Sequence, residues 1–116
     1  MQEIIDEAGL QKALEASRTR PVFLFKHSTT CPVSSAAYRE VDGYLKGESG
    51  VDQPEVYLVK VIESRPVSNA IATLTGITHQ SPQLILVDAE KAVWDASHYG
   101  ISGDSMARAA SGAPGA

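Results

Sequence analysis

Cys31 is the only cysteine in the chain. It stands where the apolar run Val22-Phe23-Leu24-Phe25 has passed through Lys26 and His27 into the polar loop Ser28-Thr29-Thr30, just before a helical pattern begins. A thiol at a helix start meets unpaired backbone N–H groups and the positive end of the helix dipole, and both favour the nucleophilic thiolate. Pro32 supports that placement, because proline suits the first helical turn, where its missing N–H costs nothing. The fourth residue, counting Cys31 as the first, is Ser34. A Cys-X-X-Cys oxidoreductase would carry its resolving thiol there, so the attacking position is present and the resolving one is not. The chemistry expected is thiol–disulfide exchange by one thiol. It requires an accessible thiolate and a good leaving group, and neither metal nor prosthetic group.

A lone cysteine can also serve as a small buried hydrophobe. Here its neighbours Ser28, Thr30 and Pro32 are loop and cap types, which favours the reactive reading. Ser34 reads as a solvated first-turn residue, informative for its missing sulfur. His27 lies four residues before Cys31, where a positive charge would stabilise the thiolate; the competing reading is a strand-end histidine held by backbone hydrogen bonds. One cysteine with His27, His79 and His98 matches no zinc spacing, and no metal is expected. Arg39 and Lys46 share a helical segment with Glu40 and Asp42 and read as a solvated face. Trp94 and the tyrosines read as packing.

The elements that must position Cys31 follow from periodicity. Leu10, Ala13 and Leu14 share one face of a short helix over 10–17, with Gly9 opposing extension toward the N-terminus. Ile4 and Ile5 fit either an edge strand or the first turn of that helix. Pro21 opens Val22–Phe25, a continuous apolar run that suits a strand buried on both faces. After the cysteine loop, Val33, Ala37, Val41, Tyr44 and Leu45 recur at helical spacing until the glycines and polar residues of 47–53. The segment 55–62 is a second β-rich strand. Pro66 opens a helix with Val67, Ala70, Ile71 and Leu74 on one stripe, closed by Gly76. Leu84–Val87 and Ala92–Trp94 form a hairpin through Asp88-Ala89-Glu90-Lys91. A weak helix over 104–110 precedes a frayed tail over 111–116. A parallel βαβ unit followed by ββα predicts an α/β, thioredoxin-like fold: a central mixed four-stranded sheet flanked by helices, with an extra N-terminal helix.

Length and composition set the frame. The 116 residues suffice for one domain over 1–116, and 43% hydrophobic with 21% charged residues suits a globular chain. A net charge of -4 and a pI near 5.2 argue against nucleic acid or an anionic membrane as partner. No apolar run approaches the roughly 20 residues that span a bilayer. The acidic start Met1-Gln2-Glu3-Ile4-Ile5-Asp6-Glu7 is unlike a signal peptide. A cytoplasmic, reducing location is expected.

Thr29-Thr30-Cys31-Pro32-Val33-Ser34 is similar to the active-site loop of glutaredoxins with the resolving cysteine replaced. More widely, the run from Phe25 to Ser34 together with His79-Gln80-Ser81-Pro82-Gln83 resembles the monothiol bacilliredoxin family, thioredoxin-like proteins of bacteria that use bacillithiol. The resemblance extends from about Pro21 to Ile101, through Ala92-Val93-Trp94 and Ser97-His98. It implies reduction of mixed disulfides between bacillithiol and cytoplasmic client proteins. Cys31 would be the nucleophile, bacillithiol the co-substrate, and no cofactor would be held. It implies that Thr30, Pro32, Ser34, Ser81 and Pro82 surround the thiol ligand; Lys26, close to Cys31 in sequence, is the cation expected to contact an anionic thiol. It further implies a cis bond at Ser81-Pro82 that exposes the Ser81 backbone to an extended client peptide. The expected partners are bacillithiolated clients and a low-molecular-weight thiol, acting on a monomer. The alternatives are a glutathione-dependent monothiol protein, an iron–sulfur carrier, whose usual Cys-Gly-Phe-Ser differs from Cys31-Pro32-Val33-Ser34, and a redox-sensing binding module.

Overall fold

Six consecutive buried residues form the centre of the structure: β2 (Val22–His27) has no exposed position. In the computed structural model, which describes residues 1–47 and 53–112, a parallel neighbour, β3 (Glu55–Lys60), lies on one side of β2. An antiparallel neighbour, β4 (Gln83–Asp88), lies on the other. β5 (Lys91–Ser97) continues the sheet antiparallel to β4, and β1 (Gln2–Glu3) adds a parallel edge to β3, for the order β1-β3-β2-β4-β5. The sheet is mixed, as predicted, with five strands where four were expected. The fifth is the two-residue β1, too short to carry a periodic signal; beyond it, Ile4 N–H donates to the Leu58 carbonyl at 2.8 Å.

Alternation along the strands sends side chains to two cores. Val22, Leu24, Tyr57, Val59, Ile85 and Val87 meet α1 (Glu7–Ala16) and α3 (Arg65–Thr75). Phe23, Phe25, Val56, Leu58, Leu84 and Leu86 meet α2 (Pro32–Lys46) and α4 (Gly103–Gly112). Trp94 and Tyr44 both pack edge-on against Phe23, as packing residues should.

Several boundaries moved for local reasons. α1 starts at Glu7 rather than Leu10 because the Asp6 carboxylate accepts the Gly9 N–H at 2.8 Å, a side-chain cap. A Cβ at Gly9 would come within 3.3 Å of Asp6 Oδ1 and 3.4 Å of Ile4 Cγ2, so a side chain there would crowd the cap. β2 runs two residues beyond Phe25, so Lys26 and His27 are strand residues. β3 stops at Lys60, and Val61 turns back to donate its N–H to the His27 carbonyl at 3.0 Å. Gly76, with φ of 71°, closes α3 in the left-handed region as predicted. The hairpin turn places Ala89 and Glu90 at φ of 51° and 67°. Ser17 holds it, its carbonyl accepting from Ala89 N and its Oγ from Glu90 N, each at 2.9 Å. The predicted tail begins too early, since Ser111 and Gly112 complete α4; residues 113–116 of it, and 48–52 of the predicted break, lie outside the described residues.

Candidate functional site

Cys31 is the N-cap residue of α2, with extended backbone (φ −110°, ψ 124°) and Pro32 as the first helical residue. It is half-buried, and its Sγ makes no capping hydrogen bond, so the first-turn N–H groups are left facing the sulfur's side of the helix end. The loop before it is short and closed: Cys31 N–H donates to the Ser28 carbonyl at 3.4 Å, and the Ser28 and Thr30 hydroxyls lie 3.2 Å apart. Thr29, Thr30 and Pro32 are exposed around the half-buried thiol.

Ser34 differs from its reading as a solvated residue. It is 0% exposed. Its Oγ accepts the Ser28 N–H at 2.9 Å and lies 2.7 Å from His27 Nδ1. The arrangement that satisfies every group has the Ser34 hydroxyl donating to Nδ1 while accepting from Ser28, which leaves the His27 proton on Nε2. The hydroxyl therefore ties the end of β2 and the start of the cysteine loop to the first turn of α2. A signal was present in the spacing: Ser34 shares its helix face with Ala37, Val41 and Tyr44, the buried positions of α2.

His27 packs its ring 5.6 Å from Phe25 and 5.0 Å from Tyr38. Burial pushes its pKa below the ordinary histidine value, opposed by a backbone hydrogen bond of Ser34, and so favours the neutral ring. The expected cation beside the thiolate is replaced by a neutral ring serving Ser34. The competing strand-end reading is nearer, with a side-chain partner in place of a backbone one.

Lys26 also departs from expectation. Strand alternation turns it to the α1–α3 side, where it is 0% exposed and unable to touch a ligand. Its Nζ lies 3.2 Å from His79 Nδ1, which is also 3.4 Å from Ser68 Oγ. Burial pushes the ammonium down to about 8. A base whose folded-state pKa lies below its unfolded value leaves the unfolded chain binding more protons between the two, so stability rises with pH across that interval. The unfolding free energy is expected to climb from about pH 8 toward 10. Above that, Tyr57, pushed up to about 12 by burial and its bond to Glu55, retains its proton longer when folded and works against the climb. Lys26→Met should flatten the climb and stabilise the protein at neutral pH, because a buried charge is replaced by an apolar chain of similar volume. Urea titrations at a series of pH values check this; a climb that persists in the variant assigns it to another group.

The Ser81-Pro82 bond is cis. β2 and β4 pair as far as Lys26 opposite Gln83, so Pro82 and Ser81 lie just beyond β4 at the end of the sheet where His27 leads into the cysteine loop, whose Ser28 carbonyl accepts the Cys31 N–H. Among the described residues the Ser81 backbone makes no hydrogen bond, and its Oγ is buried without a partner. The Pro82 carbonyl accepts from His98 N at 3.1 Å, which draws the turn after β5 to the same end of the sheet. There His98, Tyr99 and Ile101 face Val33, Ala36 and Ala37 of α2 across a cavity of about 300 Å³. Cys31, Thr30, Pro32, Ser81 and Pro82 thus gather at one end of β2, with Ser34 and His27 beneath them and Lys26 on the opposite face of the sheet.

Among the described residues no group of three or more His, Cys, Asp or Glu side chains is placed to hold a metal ion, and no helix is long and apolar enough to cross a membrane. Lys46 pairs with Asp42 at 2.8 Å and Arg39 is exposed, both on the solvated face.

Residues 2–106 match the family model described as monothiol bacilliredoxin BrxC. A solved structure described as a candidate oxidoreductase with a thioredoxin fold is 29% identical, with a TM-score of 0.82 over 93% of this chain and 91% of that one. Thioredoxin from Fasciola hepatica (14% identical, TM-score 0.74, 96% and 97% covered) shares the fold. So does Trxlp from Edwardsiella tarda (17%, 0.72, 95% and 98%).

Proposed function

Since this chain belongs to the monothiol bacilliredoxin family, a family of thiol redox proteins, we propose that it removes bacillithiol from mixed disulfides on client proteins through Cys31. The Cys31 thiolate attacks the bacillithiol sulfur and the mixed disulfide breaks. The client departs as a thiolate that takes up a proton from water, and bacillithiol remains in a new disulfide with Cys31. A second low-molecular-weight thiol attacks that bond, leaving as the oxidised disulfide and restoring the Cys31 thiolate. The observation that carries this reading is a half-exposed thiol at the start of α2 with a buried serine, not a second sulfur, one turn further on. Thr30 and Pro32 border the thiol, and the Ser81 backbone offers a client peptide the pairing of an added strand. The reading is completed by a single domain acting as a monomer in the cytoplasm, where a reducing pool supplies the second thiol.

Intact mass tests the sequence of events. Given a bacillithiolated client and no second thiol, wild-type protein should accumulate as a one-to-one bacillithiol adduct on Cys31. Ser34→Cys places a sulfur one helical turn away, within the range that disulfide geometry accepts. That variant should lose the adduct and gain an internal disulfide, because the intramolecular thiol acts at high effective concentration. Glutathione disulfide in competition with bacillithiol disulfide identifies the co-substrate. Preferential adduct formation with glutathione would replace bacillithiol in this reading, and no adduct with either would end it.

A further inference from the structure

The loop that leads into Ser81 carries an exposed histidine with a buried cation, Lys26, behind it and an exposed one, Arg65, on the neighbouring helix, while the nearby Glu63 carboxylate accepts from the Thr29 hydroxyl at 3.4 Å. His79 is exposed, and its Nδ1 lies 3.2 Å from Lys26 Nζ. An ammonium has three donors and no acceptor, so Nδ1 accepts and the imidazole proton resides on Nε2, on the side of the ring away from the buried amine. Lys26 therefore acts through His79, fixing its tautomer and orientation. Arg65, the first residue of α3, is exposed and forms no ion pair among the described residues. Burial, then Lys26, then Arg65 hold the His79 pKa below the ordinary histidine range, which makes the ring a neutral N–H donor flanked by two cations.

The placement relates this group to the exchange site. His79 is two residues from Ser81, a span of at most about 7 Å, and Ser81 lies just beyond the Lys26–Gln83 pair that ends the β2–β4 ladder, at the end of the sheet where β2 leads into the cysteine loop. A small thiol joined through its sulfur to Cys31 would have to extend past Ser81 to meet His79. We propose that His79 and Arg65 form a carboxylate-binding subsite that takes the acidic end of the low-molecular-weight thiol, with Lys26 as the positioning residue behind it. This rests on the reading of Cys31 as the exchange thiol. Bacillithiol and glutathione both carry carboxylates, and an N–H to carboxylate bond backed by positive charge is the favourable pairing.

The test compares kcat/KM for release of bacillithiol, glutathione and 2-mercaptoethanol from the same client protein by wild type, His79→Asn, His79→Gln and Arg65→Gln. Asparagine keeps an acceptor for Lys26 and removes the outward donor; glutamine extends an N–H toward the Nε2 position. The ratio of rates for the acidic thiols over uncharged 2-mercaptoethanol should fall about tenfold in His79→Asn and about threefold in Arg65→Gln. His79→Gln should retain most of it, and added salt should lower the wild-type ratio toward that of the variants. An unchanged ratio in both His79→Asn and Arg65→Gln overturns the subsite; should His79→Asn fail to fold, the exposed Arg65→Gln decides. A wild type that releases glutathione and not bacillithiol overturns the co-substrate assigned above, while the glutathione ratio still decides the subsite. A wild type that releases none of the three overturns both readings.

Discussion

Cys31→Ser is expected to abolish mixed-disulfide exchange completely while leaving the thermal transition nearly where it was. The chain contains no second thiol, and the remaining sulfur atoms belong to the thioethers of Met1 and Met106, which are not nucleophiles in this exchange. Met106 is moreover buried in the α2–α4 core. The stability half of the prediction rests on geometry. The Cys31 side chain makes no capping bond, it is half-buried, and the backbone contacts that shape the loop, Cys31 N–H to the Ser28 carbonyl and Ser35 N–H to the Cys31 carbonyl, survive the change. Serine is also a better N-cap than cysteine, so the net effect should lie within about 0.5 kcal/mol. Exchange is followed by release of the client thiol, and folding by thermal melting. Residual turnover in the variant would place the activity outside this protein. A variant that no longer folds would instead make Cys31 a structural thiol.

Ser34→Ala is expected to be the most destabilising substitution at this site, although a missing hydroxyl on a helix is ordinarily of little consequence. The oxygen sits at 0% exposure between two groups with no alternative: the Ser28 N–H at 2.9 Å and His27 Nδ1 at 2.7 Å. Each unsatisfied buried group costs about 1–3 kcal/mol, so a loss of about 2–4 kcal/mol follows, read as a fall in Tm of about 10 °C. The control is Ser35→Ala, one residue along and half-buried, where no side-chain bond is lost and the change should stay within about 0.5 kcal/mol. Because the same oxygen ties the cysteine loop to α2, exchange by the folded Ser34→Ala protein should also slow, by about tenfold, as the loop loses its fixed approach to the substrate. Equal melting temperatures for Ser34→Ala and Ser35→Ala would remove the anchoring role.

Much of this molecule is legible in the order of its residues. Continuous apolar runs can be satisfied only by burial on both faces, so Val22–Phe25 and Leu84–Val87 mark the central strands, and the βαβ-then-ββα order leaves little choice of sheet. The reactive position is equally local: a polar loop, a cysteine and a proline in sequence define a helix start, and the absence of any second cysteine makes the chemistry monothiol by composition alone. What local pattern could not decide was where polar side chains go once the strands pair. Lys26 and His27 read as polar neighbours of the thiol just past the apolar run, yet each is buried, because β3 pairs with β2 through both and β4 as far as Lys26, and alternation sends Lys26 to the α1–α3 core and His27 toward α2. Ser34 looked solvated by residue type and is buried by its helix face, where partners seven and six residues earlier meet it. His79 and Lys26 are separated by 53 positions, and only the register that sets Gln83 against Lys26 brings that loop over the amine. Apolar periodicity is a property of neighbours along the chain, and the sequence carries it openly. The hydrogen bonds that fix a loop, a tautomer or a buried charge join residues from different elements, so they exist only after the sheet has chosen its register.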